Sequence, residues 1–393
     1  MSNIRLAIVT THPVQYQVPW YRALASRPGM DVSVLYAMIP DSRQQGEGFG
    51  VDFQWDVPLL GGYRHEVLTN VASRPSVTSF FGCDTPEMMD RLRGRFDCVI
   101  VNGWVSKTCL QALWACRRLG IPCIVRGESN ALRPRPAWVR GMHRILLRQY
   151  TAFLSIGRSN RDFYVGNGVR PERIFDGVYC VENDRFAAAA ALASERRSEI
   201  RREWRIDPEA TAFLFCGKFV EKKRPMDALQ ALLRTRSASE RPRIHLIMAG
   251  DGPLRRACET MAGVENLPVT FTGFMNQTKI VDAYVAADCL VLPSDYGETW
   301  GLVVNEAMAC GRAAIVSDRV GCHPDLILAG RTGEIFPFGD TVSLARLMAA
   351  AAANVEETRQ RGRKAREHVD AFSVHRLVQG TEAAVTHVTV ASA

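Results

Sequence analysis

What this sequence of 393 residues lacks already narrows its function. No apolar run approaches the ~18–20 residues that a membrane span requires; alanine-rich stretches such as Ala187–Ser194 are far shorter. The 11 cysteines are odd in number, and no two have C-x-x-C spacing. A reduced compartment, with neither a disulfide framework nor a zinc site, is therefore expected. The opening MSNIRLAIVTTH reads as a strand and not as a secretory leader, so a cytoplasmic protein is the expectation. No two aspartates are spaced D-x-D, the pairing that would hold a divalent cation through carboxylate oxygens, so no metal is expected. The G-x-G-x-x-G fingerprint is missing after the first strand-like run, which disfavours a nicotinamide dehydrogenase. Lysine is scarce too: only six of the 49 basic residues are lysines, yet Lys218, Lys222 and Lys223 fall together.

Apolar runs of strand length alternate with segments of helical period along the whole chain. Strands are predicted at Leu6–Thr10, Asp31–Tyr36, Cys98–Val101, Cys123–Arg126 and Phe153–Ile156, then at Ala212–Cys216, Ile244–Ala249, Val269–Thr272, Cys289–Leu292, Ala313–Ser317 and Glu334–Phe336. Parallel strands need helical crossovers, so the pattern predicts an α/β protein of two doubly wound, Rossmann-like domains. Residues 1–185 are read as an N-terminal domain and 186–205 as a linker. Residues 206–370 would form a C-terminal domain, and 371–393 a helix packing back toward the first domain. Ligands of such sheets bind beyond the carboxyl ends of the strands, so two domains facing each other would share a central cleft.

Two segments carry chemistry. In PSDYGETWGLVVNEAMACG, a strand ends at Leu292 and a helix starts near Gly301, with Glu298 before the helix and Glu306 within it. Helix N-termini offer unpaired amides and partial positive charge, so Thr299, Trp300, Gly301 and Leu302 could present N–H groups to a phosphate or a sugar hydroxyl. Glu306 lies among Val303, Val304, Ala307 and Met308, where a carboxylate needs a partner; the hydroxyl pair of a ribose would provide one. In FCGKFVEKKRPMDAL, Lys218 and Lys223 follow a strand that ends in Gly217, and two ammonium groups there suit a diphosphate. A solvated basic loop fits this segment as well, but the local concentration of lysine favours binding. AGDGPL, with Gly250, and FTGFM, with Phe274, are further strand-to-loop turns, and Phe274 could lie against a base.

GKFVEKK, AGDGPL, FTGF, the E-x7-E of Glu298 and Glu306, EAMACG and GCHPD together resemble glycosyltransferase family 4, over Phe213–Asp340. The resemblance implies retaining, metal-independent sugar transfer on the two-domain fold called GT-B. It implies that Lys218 and Lys223 contact the diphosphate of a UDP- or GDP-sugar, with Gly217, Gly250 and Phe274 around it. Glu298 and the amides of Thr299–Leu302 would hold the sugar and distal phosphate, and Glu306 the ribose. No cofactor is implied beyond the nucleotide sugar, which is a co-substrate. The first half departs from the family: TTHPVQYQVP replaces the glycine pair after the first strand, and VRGESN stands where a histidine is usual. His12, Asn102, Arg126 and Glu128 follow predicted strand ends there and are the acceptor-side and catalytic candidates, although a satisfied structural polar group fits each equally well.

Residues 131–161 hold seven arginines and no acid, interleaved with Trp138, Leu146, Leu147 and Tyr150. Either this is a solvated face, or it touches anionic headgroups or a lipid-linked acceptor, which would make the protein peripheral at the inner membrane face. No nucleic-acid recognition motif accompanies the charge, so no nucleic-acid partner is expected. The expected function is transfer of a sugar to a hydroxyl acceptor in surface polysaccharide, glycolipid or glycosylated-metabolite synthesis. A GT-B nucleotide-sugar epimerase or phosphorylase, or a non-catalytic sugar-nucleotide-binding subunit, are the alternatives.

Overall fold

The computed structural model describes residues 3–236 and 242–390. The last three residues of the 371–393 segment thus lie outside the described residues. Two all-parallel sheets are present. The first holds β1 (Ile4–Thr10), β2 (Met30–Tyr36), β3 (Arg64–Val67), β4 (Cys98–Val101), β5 (Cys123–Val125), β6 (Ala152–Ser155) and β7 (Ile174–Asp176), in the order β3-β2-β1-β4-β5-β6-β7. The second holds β8 (Thr211–Cys216), β9 (Ile244–Ala249), β10 (Val269–Gly273), β11 (Cys289–Leu292), β12 (Ala313–Ser317) and β13 (Gly333–Phe336), in the order β10-β9-β8-β11-β12-β13. In each, the strand order reverses beside the first strand of the sheet, between β1 and β4 and between β8 and β11.

Central strands such as Leu6–Val9, Cys98–Val101 and Phe213–Phe215 are wholly buried, as expected of parallel strands covered on both faces. On one face of the first sheet, Val9, Val99 and Phe153 pack with Cys109, Leu113, Cys116 and Tyr164. On the other, Ile8, Ile100 and Leu154 pack with Trp20, Leu377 and Val385. All 11 cysteines are free and buried.

Two strands were not predicted from the sequence. β3 is RHEV, with no buried residue, and lies at the sheet edge, where one row of hydrogen bonds suffices and no apolar pattern is required. β7 is only three residues long. The compact domains also divide the chain differently from a cut along its length. One comprises the described residues up to Gln45, Val57–Cys180 and those from Ser373 onward; the other comprises Gly46–Asp56 and Val181–Phe372. The stretch read as a linker is helical, Asn183–Ser194 and Arg197–Glu203, and belongs to the second domain. The final helix, Val374–Val390, packs in the first domain, where Trp20 Nε1 donates to Thr381 at 3.1 Å.

Candidate active site

The loops after β8 and β11 leave adjacent strands at the point of order reversal, where open α/β sheets bind ligands. After β8 the chain passes through Gly217 and a short turn, Glu221–Lys223, into the helix Pro225–Thr235. The turn after β9 packs backbone on backbone against it: Phe219 N–H donates to the Asp251 carbonyl at 2.8 Å. Gly250 sits at φ +135°, and a Cβ there would collide with the Gly217 carbonyl oxygen, so only glycine fits. After β11, Asp295 N–H donates to the Lys222 carbonyl at 2.9 Å, tying the two loops together.

This arrangement brings Lys223 and Glu298 into an ion pair, each side chain 14% exposed, and Ser294 Oγ donates to the same Glu298 oxygen at 3.3 Å. The Glu298 and Trp300 carbonyls accept from the amides of Gly321 and Cys322 at 3.0 and 2.9 Å, so the GCHPD turn clamps this loop. Gly301, at φ +105°, then turns the chain into the helix Leu302–Ala309, with Thr299 and Trp300 just before it and Leu302 its first residue. The Trp300 side chain serves the core: it is buried, and its Nε1 donates to Asn305 Oδ1 at 2.8 Å.

Glu306 is 2% exposed. The partner its carboxylate needs comes from within the domain: Tyr284 OH donates at 2.6 Å and Gln277 Nε2 at 3.3 Å. Burial alone therefore does not call for a ribose at this position. The sequence offered no sign of that pairing, because Gln277 and Tyr284 lie 29 and 22 positions from Glu306, on a different segment.

Lys218 has an unexpected neighbour. Its ammonium donates to the Glu47 carbonyl and lies 4.7 Å from the Phe49 ring centroid. Burial, then repulsion from Lys222, push its pKa below the ordinary lysine range. Glu47 and Phe49 belong to the 46–56 segment, which packs on the second domain. Phe49 and Phe53 stand 4.9 and 4.2 Å from the Phe274 ring, and Asn276 Nδ2 donates to the Gln54 carbonyl at 2.7 Å. Phe274 thus contacts aromatic side chains of this segment. Sequence reading passed over 46–56; its signal was three aromatics, Phe49, Phe53 and Trp55, in a glycine-rich stretch.

In the first domain, His12, Asn102 and Arg126 follow neighbouring strands. The ladder continues one residue beyond them: Asn102 N–H donates to the Val9 carbonyl and Arg126 N–H to the Val101 carbonyl, each at 3.0 Å. His12 is within 2.8 Å of Thr11 Oγ1, and burial lowers its pKa to about 4, which makes it neutral at pH 7. Asn102 Nδ2 donates to Gln17 Oε1 and Tyr21 OH at 3.1 and 2.9 Å. Glu128 accepts from Tyr179 OH at 2.8 Å. Among the described residues, no three His, Cys, Asp or Glu side chains are grouped as metal ligands, and no helix is long and apolar enough to cross a membrane.

Two Rossmann-like domains with this loop chemistry define the GT-B class. The solved structure of Anabaena HepE with UDP and glucose shares the fold at a TM-score of 0.72 and 13% identity, covering 98% of this chain and 100% of that one. Residues 196–368 match the family described as glycosyl transferases group 1. It is similar to an N-acetyl-alpha-D-glucosaminyl L-malate synthase of Bacillus anthracis, 30% identical over 54% of this chain and 54% of that protein. It is also similar to a D-inositol 3-phosphate glycosyltransferase of Geodermatophilus obscurus, 27% identical over 75% and 67%. The chain thus spans about half the length of the first of these relatives.

Proposed function

We propose that the protein transfers a sugar, with retention, from a UDP- or GDP-sugar to a hydroxyl acceptor and needs no divalent cation. The observation that carries this is the meeting of Lys223 and Glu298, on loops from β8 and β11, at the mouth of the switch point. An ammonium there offsets charge developing on the departing diphosphate, and preorganised groups of this kind give large rate effects. Lys218 and the helix amides at Thr299–Leu302 extend the same anion-binding surface, and Glu298 serves the sugar. Glu306 takes the ribose only by sharing its bonds with Tyr284 and Gln277. L-malate and inositol 3-phosphate, named in the relatives, are hydroxyl compounds, which supports a hydroxyl acceptor. We expect UDP or GDP to raise the melting temperature in the presence of EDTA. A shift seen only when Mg²⁺ is added, or none with either nucleotide, overturns this reading.

A peripheral membrane contact is proposed on a separate observation. Along the helix Ala137–Leu147, Trp138, Met142 and Ile145 are exposed at 68, 60 and 66%, with Arg140, Arg144 and Arg148 exposed beside them. Leu147 and Tyr150, counted with this surface from sequence, are instead buried in the core. Anionic surfaces attract each nearby arginine by about 1 kcal/mol. The protein should sediment with phosphatidylglycerol vesicles at low salt, and Trp138→Glu with Ile145→Glu should abolish this. Failure of the wild type to sediment sinks the idea.

A further inference from the structure

Arg126 is a buried cation with no direct ion-pair partner among the described residues. The residue is 3% exposed, stands at the carboxyl end of β5, and makes no ion pair among the described residues. Its Nε is sealed from solvent and has no hydrogen-bond partner. What surrounds the guanidinium is aromatic: the Tyr179 and Trp20 rings lie 4.5 and 5.6 Å from it. Rings attract a cation but carry no net charge. The phenols within its field do not ionise to balance it: burial pushes Tyr164 up to about 12, and Tyr21 and Tyr179 higher still. Glu128, two residues on, accepts from Tyr179 OH at 2.8 Å, and Arg126 faces the same phenol oxygen, so that carboxylate reaches the guanidinium only through Tyr179.

Removing a charge from water without compensation is costly, and unsatisfied buried groups in native proteins call for an explanation. A second orphan lies close by. Asn102 spends both its amide donors' reach on Gln17 and Tyr21, and its Oδ1 is buried with no partner. Tyr21, which Asn102 contacts, also feels the Arg126 charge. A donor without an acceptor and an acceptor without a donor thus flank one tyrosine, at the sheet edge where ligands of such domains bind.

We propose that Arg126 is the receptor for an oxyanion, phosphate or carboxylate, carried by the acceptor, with Asn102 Oδ1 accepting from a hydroxyl of the same molecule. The guanidinium is planar, permanently charged and suited to a forked contact with either anion. This deepens the glycosyltransferase reading and rests on it for the word acceptor; the anion site itself does not.

The test uses the full chain, labelled with ¹⁵N-arginine and saturated with UDP so that phosphate cannot report from the lysine loop. The Arg126 Nε–H resonance is identified by its loss in Arg126→Lys. It should shift saturably with inorganic phosphate or with malonate, and not with sodium chloride of equal ionic strength. The UDP-saturated wild type should also melt higher with phosphate, and Arg126→Gln should need at least about tenfold more phosphate for the same rise while leaving the UDP response unchanged. If either variant fails to fold, a crystal of the wild type soaked in phosphate should show the anion on Arg126. No saturable shift with either anion, or an anion bound elsewhere with Arg126 bare, overturns the proposal. Loss of the UDP response with the Arg126 shift intact would instead overturn the donor reading and leave this site standing.

Discussion

Lys223→Ala should lower sugar transfer about 10²-fold or more, with little change in melting temperature. A single preorganised group facing developing charge is commonly worth 10²–10³ in rate, roughly 2.7–4 kcal/mol. Lys223 is placed for that: it closes the turn after β8, and its ammonium pairs with Glu298 from the loop after β11. Ser294 Oγ still donates to Glu298 once the ammonium is gone, which limits the cost in stability, so the loss should appear in kcat and not as unfolding. Glu298→Gln should also slow transfer. The double variant should fall short of the product of the two losses, because the residues act as one unit. Purified Lys223→Ala turning over at the wild-type rate would remove the role assigned to it.

Asp288→Ala should cost about 3–5 kcal/mol of stability, the range for breaking a buried ion network by removing one partner. Asp288 is fully buried just before β11. Arg197 and Arg359 reach its Oδ1 at 2.8 and 3.2 Å, Arg201 reaches Oδ2 at 3.4 Å, and the Ala212 amide donates to Oδ2 at 3.0 Å. One carboxylate therefore joins the helices 197–203 and 355–369 to the sheet. Its loss leaves three guanidinium groups crowded without a counter-charge. Burial alone would push this carboxyl up, but Arg197, the Ala212 amide, Arg359 and Arg201 outweigh it and hold it below the ordinary range. A folded value below the unfolded one means stability that is fully present above about pH 4 and is lost as pH falls through the folded value. Denaturation by urea at neutral and acid pH should show the wild type losing that increment in acid, and Asp288→Ala showing a shallower decline. A variant within about 1 kcal/mol of the wild type at pH 7 would mean that the network is not structural.

Much of the second domain could be read directly. Its strands are continuous apolar runs because both faces of a parallel sheet are covered, and Gly217–Lys223 and Glu298–Glu306 follow two of those runs, so their place at the sheet edge needed only the alternation of strand and helix. β3 escaped notice because an edge strand such as RHEV needs no apolar signature.

Other features depend on residues that local pattern cannot connect. Lys218 meets Glu47 across 171 positions and Asn276 meets Gln54 across 222, so the passage of 46–56 into the second domain had no periodicity to announce it. Glu306 reads as a carboxylate in want of a ligand until Tyr284 and Gln277 are placed against it. Arg126 reads as one arginine among 43 until its surroundings prove to be rings and neutral phenols. By itself, the order of residues determined the class of fold and the loops that carry charge, because helix and strand formation are governed by near neighbours. Which of those charges are already satisfied and which still want a partner was decided only by the tertiary structure, because solvation and pairing depend on distant segments brought within a few ångströms.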